Sequence, residues 1–220
     1  MNTFGWKISN HIVEQTSILH IQNALSKSQC VDIKNQILNF KEISSQQQIE
    51  SNDINDKLCW RGYPHVSSDG FNDTTNELIK NVILSAYDKF KQSIPYPDGI
   101  SVRGKNLYSF DTSSPLMHLW ANVNQQGGYN IIHNHSGSLL SGVIYIQCQG
   151  TGFVEFYPAN YLNKINHPLW LYNGTRKIDP LEGDLIIFPS YLMHFVEPNP
   201  SKLSRINLAF NLTYDIQYDH

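Results

Sequence analysis

From Leu116 to Tyr214 the chain reads as a succession of short apolar or alternating runs, separated by turn-forming residues and never by a stretch of helical period. That pattern constrains the fold more than any other. The runs are Leu116 to Val123, Tyr129 to His133, Leu139 to Cys148, Gly152 to Tyr157, Trp170 to Tyr172, Asp184 to Phe188, His194 to Val196 and Arg205 to Tyr214. Strands this short, with no helices to carry a crossover, do not build βαβ units; they predict a sandwich or jelly roll.

The first 105 residues have a different texture. A strand is expected around Ile18 to Ile21. From Ser28, Val31, Ile33, Ile37, Leu38 and Phe40 recur at near-helical spacing, with Ser26 or Ser28 supplying the N-cap oxygen, and predict a helix to about Lys41. Thr74-Thr75-Asn76-Glu77 has the form of a capping box. Behind it Leu78, Ile79, Val82, Ile83, Ala86, Tyr87 and Phe90 mark one helical face, which ends before the Ile94 to Gly99 prolines and glycine. Between the helices, Ser44 to Asp56 is too polar to bury itself and predicts a mobile loop, anchored at its far end by Trp60. Helices need a sheet to cover, and the strands need that cover. The expected organisation is therefore a mainly β, α+β chain: a helical and mixed part at 1–105 packed on a jelly-roll core at 106–220, one structural unit overall.

With 220 residues, 40% of them hydrophobic, the chain can bury a sizeable core. A net charge of -3 gives no general field for nucleic acid. Cys30, Cys59 and Cys148 are scattered and odd in number, which fits reduced thiols. The N-terminus lacks a signal-peptide layout, and no apolar run is long enough to span a bilayer. A soluble, cytoplasmic protein is expected.

Chemistry is suggested by Gly127 to His135. On a strand, His133 and His135 point the same way, so two imidazoles converge and need a third ligand to hold a transition metal. His194, just beyond the apolar run Leu185 to Phe188, is the candidate. His11, His20, His65, His118, His167 and His220 are read as ordinary packed or surface residues. Arg205-Ile206-Asn207-Leu208-Ala209-Phe210-Asn211-Leu212 alternates strictly, with Arg205 and Asn207 on one face. A guanidinium aimed into a barrel needs an anion, and its fork suits a carboxylate; a salt bridge to Asp184, Glu182 or Glu197 is the structural alternative.

These segments together, Trp120 to Asn124, Gly128 to His135, Ser141 to Tyr145, Gly183 to Ser190, His194, and Arg205 with Asn207, resemble the iron(II) and 2-oxoglutarate-dependent oxygenases, above all the group found in bacteria and their phages. The resemblance covers about residues 116 to 214. It implies a double-stranded β-helix, Fe(II), 2-oxoglutarate and O2, and hydroxylation of a prime substrate with release of succinate and CO2, in the cytoplasm of a bacterium or a phage-infected host. It makes His133 and His194 iron ligands and gives Arg205 the far carboxylate of 2-oxoglutarate. Asn207, Tyr145, Asn122 and Tyr129 are candidates for the cofactor pocket. His135 stands where the superfamily has an acid, so the site has either three histidines or two and a water. The two Gly-to-His spacings also resemble cupin motifs, with Glu155 as a possible further ligand; a jelly-roll module without catalysis is the third reading.

Overall fold

The computed structural model describes residues 7–13, 16–46, 56–93, 99–102, 105–110, 115–157, 175–213 and 216–218. Most of the expected 44–56 loop and the expected strand at 170–172 lie outside them. The elements run β1 (Lys7–Val13), β2 (Thr16–Gln22), α1 (Lys27–Gln46), β3 (Asp56–Gly62), α2 (Asp73–Ser93), β4 (Gly99–Val102), β5 (Lys105–Phe110), β6 (Leu116–His133), β7 (Leu140–Gln147), β8 (Val154–Phe156), β9 (Arg176–Ile178), β10 (Leu185–Pro189), β11 (His194–Val196), β12 (Arg205–Thr213) and β13 (Ile216–Tyr218).

The main sheet has the order β1-β2-β10-β7-β12-β6-β11-β8-β9, with β3 on β6 as well; β13-β5-β4 form a small second sheet. β6 closes the structure. Its first half, Leu116 to Asn124, pairs with β12, and its second half, Asn130 to His133, pairs with β11. The two runs expected at 116–123 and 129–133 are thus one continuous strand serving both layers. The result is the curled antiparallel sheet of a double-stranded β-helix, as the strand spacing predicted.

Both helices start on side-chain caps. Ser26 Oγ accepts from the Gln29 amide while Gln29 Oε1 accepts from the Ser26 amide, a reciprocal box that fixes the start of α1. At α2 the cap is Asn72, whose Oδ1 accepts from the Thr75 amide at 2.8 Å; the Thr74 box expected from the sequence lies inside the helix instead. α1 also continues five residues past Lys41, into the segment read as loop.

Alternation along the strands splits the core in two. Leu185, Ile187, Ile144, Leu208 and Phe210 face outward and pack with Ile33, Ile37, Ile79, Val82, Ile83 and Phe90 beneath the helices. Ile18, Tyr145, Ile186, Phe188, Val154 and Phe156 face inward and fill the barrel. β10 is apolar throughout because both its faces are covered. The N-terminal residues are strands of the same sheet: β2 pairs with β10, and His20 Nε2 meets Asp184 Oδ2 at 2.8 Å in the buried interior. Trp60 docks as expected, buried against the edge of Phe40.

Candidate metal and co-substrate site

Three elements bring three imidazoles together. β6 ends on His133, β11 begins on His194, and the two residues are direct partners across the ladder. His135 follows β6 in a turn, fixed by its amide donating to the Ser190 carbonyl at 2.9 Å. One ligand atom from each of the three lies within 4.8 Å of the others, a grouping found nowhere else among the described residues.

The ring nitrogens are sorted for ligation. His133 Nδ1 donates to the Ile131 carbonyl at 2.7 Å and His194 Nδ1 to the Leu192 carbonyl at 3.1 Å. A carbonyl can only accept, so both protons sit on Nδ1 and the Nε2 lone pairs are left for a metal. His135 Nε2 is 3.3 Å from His194 Nε2. Two ligands at right angles on one ion, with bonds of about 2.1 Å, stand roughly 3 Å apart, so this spacing suits neighbouring positions on one centre. Burial, with His133 and Arg61 nearby, lowers His135 to about 4. Burial and the other two imidazoles push His194 well below its ordinary value. Neutral imidazoles are what a divalent transition metal requires, and iron(II) fits the set.

Cleft-lining residues continue the site along the inner face. A single row crosses four strands, Arg61 opposite Asn122, Asn122 opposite Asn207, and Asn207 opposite Tyr145, and all four line the cleft with the histidines. Asn122 Nδ2 donates to Asn207 Oδ1 at 2.9 Å. One step further in, Arg205 is paired with Asn124.

Arg205 is 1% exposed but does not line the cleft. Its Nη1 donates to the Thr151 and Glu197 carbonyls and its Nη2 to the Gly128 carbonyl. The expected alternative, a salt bridge to a carboxylate, is therefore not formed with Asp184, Glu182 or Glu197; Asp184 is engaged by His20. Burial still weighs on the guanidinium, and Arg205 Nε, Asn122 Oδ1 and both amide atoms of Asn124 are buried without a partner. Buried donors and acceptors without partners are costly; of these three residues Asn122 lines the cleft, while Arg205 and Asn124 lie behind it.

Two expectations need correction. Tyr129 does not reach the cleft. The ladder takes two residues from His194 to Val196 but three from His133 to Asn130, and this irregularity shifts the alternation so that Asn130 and His133 both face inward. Tyr129 instead pairs with Lys57 on β3. Glu155 lies between the inward Val154 and Phe156, and its carboxylate accepts from Tyr157, so it is no metal ligand. Sequence reasoning missed Arg61, although the signal was present: it follows the core-facing Trp60 on a strand and must face the other way. Trp120 is buried and also lines the cleft.

Residues 118–211 match the family described as "Putative 2OG-Fe(II) oxygenase". Over this span, less than half of the chain, it is similar to the 2OG-Fe(II) oxygenases. The matched span contains His133, His135, His194, Arg205 and Asn207. No curated protein matches the chain in sequence. Among solved structures it is similar to a prolyl hydroxylase from Trichoplax adhaerens in complex with a hypoxia inducible factor peptide fragment (17% identity, 89% of this chain and 83% of that one, TM-score 0.57). It is also similar to a prolyl-4-hydroxylase from Pseudomonas putida (12%, 92% and 95%, TM-score 0.55). A third is SnoK, a non-heme alpha ketoglutarate dependent carbocyclase from nogalamycin biosynthesis (12%, 92% and 82%, TM-score 0.61). At these identities the likeness is one of fold.

Proposed function

We propose that the chain is an oxygenase that hydroxylates its prime substrate, consuming 2-oxoglutarate and O2 and releasing succinate and CO2, at an iron(II) held by His133, His135 and His194. The observation that carries the reading is the convergence of three imidazoles, two with their Nδ1 atoms hydrogen-bonded to backbone carbonyls. Iron(II), when bound, supplies the redox chemistry that activates O2 with 2-oxoglutarate.

The chain's own residues do the rest. His133 and His194 keep their orientation through the Ile131 and Leu192 carbonyls, and His135 through its backbone bond to Ser190. Asn122, Asn207 and Tyr145, on the cleft wall, orient the co-substrate, and Arg205, buried behind that row with its Nε unpartnered, supplies the charge for its far carboxylate. Burial raises the Tyr145 phenol, so it stays protonated and donates. Val143, Val154, Ile186, Phe188 and Val196 keep the inner wall apolar and limit water at the reacting atoms. Hydroxylation is the outcome named for the two prolyl hydroxylases, whereas SnoK is a carbocyclase. The reaction outcome is therefore proposed for this chain and not taken from its fold.

Anaerobic titration with iron(II) and 2-oxoglutarate tests the reading. A weak visible charge-transfer band and a rise in melting temperature are expected; absence of both would sink the assignment. His135→Ala should lose bound iron, whereas retained iron with full turnover makes His135 a bystander. Arg205→Ala should weaken 2-oxoglutarate binding while iron stays bound.

A further inference from the structure

Four rings stand in series between the histidine site and the surface. His135 and Trp120 have centroids 5.8 Å apart, Trp120 and His118 5.5 Å, and His118 and Tyr63 5.7 Å. His118 and Trp120 share the inward face of β6, two residues apart, and Tyr63 follows directly on β3, whose Gly62 is paired with Ala121. Within the series Trp120 is buried, whereas the outer end is open, with Tyr63 41% exposed.

Resting on the oxygenase reading, we propose that Trp120 and Tyr63 are an electron relay, which drains oxidising equivalents from the site to the surface when oxygen is activated with no prime substrate bound. Indole and phenol are the side-chain rings most readily oxidised by one electron, and electron transfer falls steeply with distance, so rings in contact form the favoured route. The direction is set by what surrounds each ring. The Arg61 guanidinium lies 5.6 Å from the Trp120 ring centroid, and its positive charge disfavours a cationic hole resting there. Trp120 Nε1 is buried without a hydrogen-bond partner, so the oxidised indole has no group to take its proton. Tyr63, at the surface, can lose its proton to water as it loses an electron, and the hole comes to rest on it. Tyr145, the other phenol on the cleft wall, is buried away from water and lacks that outlet.

The electron count closes. Were 2-oxoglutarate split with no substrate present, iron held by the three histidines would carry two oxidising equivalents, and returning it to iron(II) would take two electrons and two protons. Trp120 gives up one electron, Tyr63 refills Trp120, and the phenol proton passes to water. A thiol in solution returns a hydrogen atom to the Tyr63 radical and leaves as a thiyl radical. A second passage along the same residues would supply the second electron, and with two protons taken from solvent the oxygen atom would leave as water.

The test uses the full chain with iron(II), 2-oxoglutarate and air, without any prime substrate or thiol and with a nitroso radical trap. Succinate is measured and trap adducts are located by peptide mass spectrometry in the same samples. Wild type is expected to carry the adduct on Tyr63. Trp120→Phe should reduce that adduct, counted per succinate formed, to background. Tyr63→Phe, an exposed and conservative change, should move oxidation inward onto Trp120, which keeps the relay testable even if Trp120→Phe folds poorly. Succinate without an adduct on Tyr63, a Tyr63 adduct undiminished in Trp120→Phe, or no oxidation of Trp120 in Tyr63→Phe would each overturn the relay alone. No succinate at all would overturn the oxygenase reading and the relay with it.

Discussion

At the scale of single residues, the histidine site depends on its imidazoles staying neutral. His135 is lowered to about 4 and His194 also lies well below its ordinary value, both chiefly through burial. In the unfolded chain each takes a proton as the pH falls through about 6.5; in the folded chain each stays neutral further down. The unfolded state therefore binds more protons between those limits. The stability these groups contribute is fully present above about pH 6.5 and drains away as the pH falls toward 4, at up to roughly 1.4 kcal/mol per pH unit for each group. Melting curves of chelator-treated protein from pH 7.5 to 4.5 should show this decline, and His135→Gln should flatten part of it. An unchanged slope in the variant would show that other groups carry the effect. Arg205 gives a second residue-scale lesson. Its alternation was legible, but its three carbonyl partners come from Thr151, Glu197 and Gly128, segments whose approach no local pattern announces.

Among the elements, β10 and the turn before it do the most to position the site. Gly183 has φ +88°, where side chains with a Cβ are strained, and a Cβ there would lie 2.3 Å from the Leu25 carbonyl oxygen. That close approach lets the Leu25 amide donate to the Gly183 carbonyl and the Gly183 amide donate to Tyr145, tying the start of α1 to the inner strand β7. Gly183→Ala should therefore cost about 2–3 kcal/mol, from backbone strain plus overlap with a backbone atom that cannot move aside cheaply. Urea unfolding reads this directly, and a loss below about 0.5 kcal/mol, the range of ordinary surface changes, would contradict it. Periodicity revealed α2 and β12 because their patterns run long enough to be unambiguous. It gave no sign of β1, β4, β5 or β9 because short or polar strands acquire their pairing from neighbours distant in sequence.

For the whole molecule, the question is whether the N-terminal part is an attachment or a component. We propose that it folds with the barrel as one cooperative unit. β2 is hydrogen-bonded to β10 and β3 to β6, so removing them would expose two edges of the main sheet. The Asp184 carboxylate fastens this arrangement: it meets His20 from β2 and accepts from the amides of Asn23 and Leu181. Asp184→Ala leaves those donors buried and unpaired and should cost on the order of 3 kcal/mol. Unfolding should still show a single transition, seen alike by far-ultraviolet circular dichroism and by tryptophan fluorescence. Two separated transitions would mean that the N-terminal part unfolds independently. No helix among the described residues is long and apolar enough to cross a membrane.

The sequence by itself determined the fold class and pointed to the three histidines, because strand alternation and turn residues are local properties that short-range sterics translate directly into structure; His135, however, lies beyond the end of β6 and is held by the Ser190 carbonyl. Tertiary structure alone decided which inward positions meet. The ladder irregularity between Asn130 and His133 turned Tyr129 away and Asn130 inward, and the pairing of β3 with β6 carried Arg61 to the cleft. Packing placed Trp120 between the three histidines and the surface. Each of these depends on register between segments far apart in the chain, and register is fixed by the balance of burial over the whole sheet, which no local run of residues encodes.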